Sequence, residues 1–144
     1  NTILEELRAG DNNLSSIDFS TNTGVLKAIK IGNNKLTELD VSNFPLLEVF
    51  SIPQNNISQI DLSKNPLLRE ISLYMNPNLK GVLDVSFMQS LARTDDCHNC
   101  MGEFYAWGTN LDCIKLSEEQ LAKYEAGELE RWNLGDIPYS LNCN

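Results

Sequence analysis

The sequence predicts an α/β-type solenoid, with short parallel β-strands on one face, an irregular, turn-built convex side and a single C-terminal capping helix. Three observations predict it. An aliphatic pattern recurs every 21–23 residues, an asparagine recurs at the same step, and a second half-motif recurs in phase with both. Self-similarity at such a period marks stacked coils that cannot bury their apolar faces singly.

Five segments align. They carry Leu4, Leu7, Ala9 and Asn12; Leu26, Ile29, Ile31 and Asn34; Leu47, Phe50, Ile52 and Asn55; Leu68, Ile71, Leu73 and Asn76; and Leu91, Thr94, Asp96 and Asn99. The leading leucines are 22, 21, 21 and 23 residues apart. An apolar residue follows each asparagine (Leu14, Leu36, Ile57, Leu79, Met101). The half-motif reads Ile17-Asp18-Phe19-Ser20, Leu39-Asp40-Val41-Ser42, Ile60-Asp61-Leu62-Ser63 and Leu83-Asp84-Val85-Ser86.

Each position has a physical reason. The central apolar-x-apolar triplet alternates inward and outward, as a strand requires. Buried backbone at the turn after the strand needs partners. An asparagine amide, with two donors and an acceptor, supplies them on every rung, so Asn12, Asn34, Asn55, Asn76 and Asn99 read as a structural ladder. The aspartates at 18, 40, 61 and 84 read as turn residues bonding local backbone. One carboxylate per coil is too few for calcium. A 21-residue period leaves no room for a helix between strands, so the convex segments should be extended or tight turns.

The pattern L-x-x-L-x-L-x-x-N-x-L resembles the leucine-rich repeat family. The Leu-Asp-Val-Ser elements, with Asn65-Pro66-Leu67-Leu68 and Asn76-Pro77-Asn78-Leu79, resemble the short-period bacterial repeats of Bacteroidetes secreted and cell-surface proteins. The resemblance extends to the closing run Asn110-Leu111-Asp112-Cys113-Ile114-Lys115-Leu116, with Trp132, Asp136, Tyr139-Ser140 and Cys143. It implies an exported protein and a capping helix clamped by a Cys113–Cys143 disulfide. From the residues alone, the four cysteines (97, 100, 113, 143) allow three pairings.

After residue 91 the pattern decays, with Thr94 and Asp96 at inward positions, as terminal repeats often do. Met101–Asn110 reads as a last, shortened coil, and Leu111–Leu116 as a final strand. Ser117-Glu118-Glu119-Gln120 is a capping box. Apolar spacing at Leu121, Tyr124, Ala126, Leu129 and Trp132 predicts a helix over about 117–132, weakened at Gly127. The expected organisation is repeats over 1–110, about five coils, and a cap over 111–144. The chain opens almost on a repeat and shows no signal peptide. We therefore expect an upstream part, and an uncapped N-terminal coil (Leu4, Leu7, Ala9) capable of end-to-end self-association.

Twenty acidic against 11 basic side chains give a net charge of -9. That balance argues against nucleic acid, whose phosphates call for basic surface, and against anionic membranes. No apolar run of the roughly 18 residues that read as a membrane span occurs, so membrane insertion is not expected. Cys97-His98-Asn99-Cys100 is a C-x-x-C in a loop of the decaying repeat. A structural Cys97–Cys100 disulfide is the reading adopted, with metal and redox roles as the alternatives. His98 is the sole histidine, and no serine or carboxylate sits at a recognisable spacing from it. No phosphate-binding loop or paired-carboxylate motif occurs. No catalytic residue, metal or cofactor is expected.

Function should lie on the strand-bearing face. By phase its outward columns hold Glu6, Ala28, Val49, Glu70 and Arg93, then Arg8, Lys30, Ser51, Ser72 and Asp95. Beyond them come Gly10, Gly32, Pro53, Tyr74 and Cys97, then Asp11, Asn33, Gln54, Met75 and His98. Candidate binding residues are Tyr74, Met75, Arg93, His98, Tyr105 and Trp107, since exposed aromatics beside polar groups suit recognition. The expectation is an extracellular, non-catalytic module that binds a protein partner. The alternative is a glycan-binding accessory module.

Overall fold

A computed structural model describes residues 3–21, 24–93 and 102–143. The strands are β1 (Glu6–Arg8), β2 (Ala28–Lys30), β3 (Val49–Ser51), β4 (Glu70–Ser72), β5 (Lys80–Asp84), β6 (Glu103–Tyr105), β7 (Asn110–Lys115), β8 (Trp132–Asn133) and β9 (Tyr139–Ser140). One helix, α1 (Glu118–Glu125), and a 3-10 turn, Gln89–Ala92, complete the elements.

Six strands form one parallel sheet in the order β1-β2-β3-β4-β6-β8. Its rungs are in register at Leu7, Ile29, Phe50, Ile71, Phe104 and Trp132. The inward residues of successive rungs stack into one core. Ile29, Phe50, Ile71, Phe104 and Trp132 are buried, with Ile31, Ile52, Leu73, Ala106 and Leu134 beside them. Leu7 and Ala9 are half-buried against that core. Stacked coils with strands in chain order are thus present.

Three expectations are corrected. The rung after β4 is Glu103–Tyr105, not the segment around Arg93. Arg93 is exposed, follows the 3-10 turn, and lies off this sheet. Phe104 and Ala106 are buried on that rung, whereas the repeat spacing puts polar Thr94 and Asp96 inside. Burial of aromatic and aliphatic surface decides the register. Thr94, Asp95, Asp96, Cys97, His98, Asn99, Cys100 and Met101 lie outside the described residues, and with them the Cys97–Cys100 bridge.

The convex side is also not turns throughout. From the fourth coil on, β5, β7 and β9 form a second parallel sheet. Phe104 follows Ile71 by 33 residues and Trp132 follows Phe104 by 28, so these coils have chain enough for an extended convex strand. Earlier rungs, 21–22 residues apart, make turns there instead.

The helix is shorter than the apolar spacing predicts. Ser117 and Gln120 form the capping box, and Ser117 Oγ accepts from Gln120 N–H at 3.1 Å. The helix stops at Glu125 because Gly127, at φ +74°, turns the chain left-handed. Gly127 N–H donates to Tyr124 O and Glu128 N–H to Lys123 O, the paired bonds of a Schellman closure. Trp132 therefore belongs to the sheet, packing edge-on against Phe104 at 5.3 Å. Cys113, on β7, is bonded to Cys143, past β9, with Cα atoms 5.8 Å apart.

Candidate functional site

The strand-bearing face is built from the outward residues of the six rungs. With the fifth rung placed at Glu103–Tyr105, its columns read Glu6, Ala28, Val49, Glu70, Glu103 and Arg8, Lys30, Ser51, Ser72, Tyr105. Charges on this face are paired. Arg8 meets Glu6 at 2.6 Å, Lys30 reaches across β3 to Glu70 at 3.4 Å, and Arg131 bonds Glu103. These partly exposed pairs contribute little stability each. They leave a near-neutral strip with small side chains along its middle. Burial raises the Tyr105 hydroxyl pKa, with the Glu103 carboxylate adding to it, so Tyr105 is a neutral hydrogen-bonding group.

Past the strands, each rung turns through a left-handed residue: Asp11, Asn33, Gln54 and Met75, at φ between 53° and 57°. Gly108 takes the same place at φ 70°. The amide ladder holds these turns. Asn55 Nδ2 donates to Ile31 O, Ile52 O and Pro53 O, and its Oδ1 accepts from Leu36 N–H at 3.0 Å. Asn34 and Asn76 make the same kind of reach to the preceding coil, to Ala9 O and Ile52 O. Asn12 is exposed, and its side-chain Nδ2 donates within its own turn, to Ala9 O and Gly10 O. Thr109 closes the series, its Oγ1 donating to Ala106 O at 2.9 Å.

A second set of buried amides, unmarked by any sequence column, ties coil to coil elsewhere. Asn65 Nδ2 donates to Val41 O and Phe44 O, both at 2.9 Å. Gln120 Nε2 makes the corresponding bonds to Val85 O and Met88 O. Neither position repeats a residue type, so periodicity could not flag them.

The structure brings Tyr74, Met75, Tyr105 and Trp107 together and leaves Arg93 out. Tyr74 and Trp107 occupy equivalent places on adjacent rungs and stack face to face, ring centres 5.0 Å apart and planes within 8°. Met75 and Trp107 are among the exposed large apolar side chains. The Tyr74–Trp107 pair borders two depressions. One holds Lys30, Ser51, Pro53 and Tyr74 on the strand side, and the other holds Gln54, Asn56, Met75 and Trp107 on the turn side. Rungs one and two carry Gly10 and Gly32 in the Tyr74 column. A Cβ on Gly32 would stand 2.8 Å from Pro53 Cγ, so that end of the column is closed to side chains.

On the convex side Asp18, Asp40, Asp61 and Asp84 each accept from the backbone N–H two residues on, at 2.8–3.0 Å. Backbone bonds from Ser20, Ser42 and Ser63 hold the first three carboxyls below their usual pKa. For Asp84, burial pushes up, but Ser86 and Lys115 together bring it down. The next copy of the half-motif, Ile114-Lys115-Leu116-Ser117, has a lysine for the aspartate. Lys115 Nζ pairs with Asp84 at 2.9 Å and Ser117 caps α1.

Among the described residues no three His, Cys, Asp or Glu side chains are grouped to hold a metal ion. Among them, too, no helix is long and apolar enough to cross a membrane. No family model, curated protein or solved structure matches the chain.

Proposed function

We propose that the chain is a non-catalytic binding module of a secreted or cell-surface protein, and that it docks a protein partner across its strand-bearing face. The observation that carries this reading is the face itself. Six in-register rungs present small residues (Ala28, Ser51), internally paired charges and a neutral Tyr105, with Tyr74 at the margin. A partner meets little side-chain bulk to displace and no unpaired cation–carboxylate couple to desolvate, while tyrosines supply rigid contact area. We read the coils as leucine-rich repeats of the short bacterial type, a reading supported by coil length, strand order and the asparagine bonds between coils. The Cys113–Cys143 disulfide is compatible with an extracellular setting, where such bonds persist.

The test is capture from a surface-protein extract with three forms of the chain: wild type, Ser51→Arg on the strand face, and Glu38→Arg on the convex side. The reading expects a saturable partner retained by wild type and Glu38→Arg and lost with Ser51→Arg. Equal capture by all three forms contradicts it.

A further inference from the structure

We propose a second binding site, on the turn edge and not on the strands: a groove beside Trp107 that takes a neutral saccharide. It goes beyond the protein-docking reading and does not depend on it. The groove is shallow and open to solvent, with a volume of ≈ 610 Å³, within the roughly 300–1,000 Å³ usual for small-molecule sites. It is lined by the apolar side chains of Met75, Pro77 and Trp107, by Gly108, and by the amide residues Asn34, Gln54, Asn55 and Asn56. No charged side chain lines it, in a chain whose net charge is -9.

That lining selects a ligand chemistry. A carboxylate or phosphate would need a cation here, and a cationic ligand would need a carboxylate; neither is present. A pyranose presents one flat C–H face and a rim of hydroxyls that both donate and accept. Trp107 offers exposed apolar ring surface beside Met75 and Pro77, and the stack on Tyr74 (8° between planes) holds the ring in place while covering one of its faces. Side-chain amides offer both donors and acceptors to the hydroxyls. Among the described residues Gln54 Nε2 donates to Met75 Sδ, at 3.7 Å, a weak acceptor that a hydroxyl would replace. Asn56 is exposed at the rim, its backbone N–H already bonded to Leu36 O.

One glycine, Gly108, borders the groove. Earlier rungs carry Asp11, Asn33, Gln54 and Met75 at the left-handed position, and their side chains run along the edge: Asn33 Nδ2 donates to Asp11 Oδ1 at 2.8 Å. Gly108 has no side chain, which leaves a notch next to Met75 and Trp107. A Cβ there would stand 3.4 Å from Met75 N and 3.5 Å from its Cα, ordinary contact. Asparagine tolerates this backbone conformation, as Asn33 does at φ 53°. Gly108→Asn therefore fills the notch without breaking the coil.

The experiment titrates the full chain with maltose, cellobiose, xylobiose and mannobiose, and with digalacturonate as an acidic control, by calorimetry and tryptophan fluorescence. The inference expects at least one neutral disaccharide to bind with a Kd of about 1 mM or tighter. Gly108→Asn should weaken it at least about tenfold with the melting temperature kept, and Trp107→Ala should abolish it. Ser51→Arg should leave sugar binding intact, so failure of the strand-face reading is seen separately. Silence from all four sugars overturns the inference, as do digalacturonate binding equally well, insensitivity to Gly108→Asn, and loss of sugar binding with Ser51→Arg.

Discussion

A single buried asparagine such as Asn55 joins two coils through one side chain. Replacing it with alanine leaves the buried Leu36 N–H without its partner and removes one of the donors to the Ile31, Ile52 and Pro53 carbonyls, which keep Asn34 Nδ2, Asn76 Nδ2 and the Asn33 N–H. Unsatisfied buried groups cost about 1–3 kcal/mol each, and partial relaxation lets water reach some of them. We expect Asn55→Ala to lose about 2–4 kcal/mol in denaturant unfolding, and Asn12→Ala, whose bonds are exposed and local, to lose under about 1 kcal/mol. Equal losses would contradict the ladder's role. The convex aspartates act in the same local way but through charge. Their folded pKa values lie below the ordinary 3.8, so the stability they contribute is complete above that pH and fades as pH falls through the lowered values. The melting temperature should drop below about pH 4, and the triple change Asp18→Asn, Asp40→Asn, Asp61→Asn should flatten that drop. An unchanged acid limb would refute the assignment. Asn34, Asn55 and Asn76 stand out in the sequence because they recur at a fixed step. Asn65 and Gln120 do comparable work; the sequence marks one within an Asn-Pro-x-Leu element and the other in a capping box, but their bonds to the neighbouring coil follow only from three-dimensional proximity.

Elements show where periodicity stops being a guide. For four rungs the aliphatic spacing and the strands coincide, because equal coils put equal residues at equal heights. The fifth breaks this equality. Leu91 continues the 21–23-residue step, yet it sits on a 3-10 turn, and the sheet resumes at Phe104. The sequence reads Met101–Asn110 as a last coil, but the 33-residue step from Ile71 to Phe104 departs from the period and hid that it follows β4 directly in the sheet. Its fit is close-packed. A Cβ on Gly102 would lie 1.5 Å from the Leu91 carbonyl oxygen, which also accepts from Trp132 Nε1. Gly102→Ala should cost about 3 kcal/mol, the upper part of the overpacking range, read as a lower urea midpoint. A neutral result would mean the fifth rung is placed elsewhere. Helix α1 is likewise set by one residue. A Cβ added to Gly127 would meet nothing within 4 Å, but the residue holds φ +74°, so Gly127→Ala should lose about 1 kcal/mol from backbone strain alone.

At the scale of the molecule, the described residues form two parallel sheets and one helix around a shared core, and a covalent bridge fastens the last strands. Cys113 and Cys143 are 30 residues apart, and closing a loop of that length restrains the unfolded chain by about 3–4 kcal/mol. The double change Cys113→Ser, Cys143→Ser should lower stability by about that amount, with β9 exchanging its amide hydrogens first. Exchange spreading equally from β1 would contradict the bridge's local role. The central claim is that amide rungs and aliphatic rungs coincide from coil to coil, since both proposed binding surfaces are outward consequences of that stacking. Hydrogen–deuterium exchange of the asparagine side-chain amides, followed by 15N NMR, tests it most directly. The stacked coils predict that the Asn34, Asn55 and Asn76 amide signals persist long after that of exposed Asn56 has gone. Exchange of all four at the same rate would place the ladder in water and contradict the architecture.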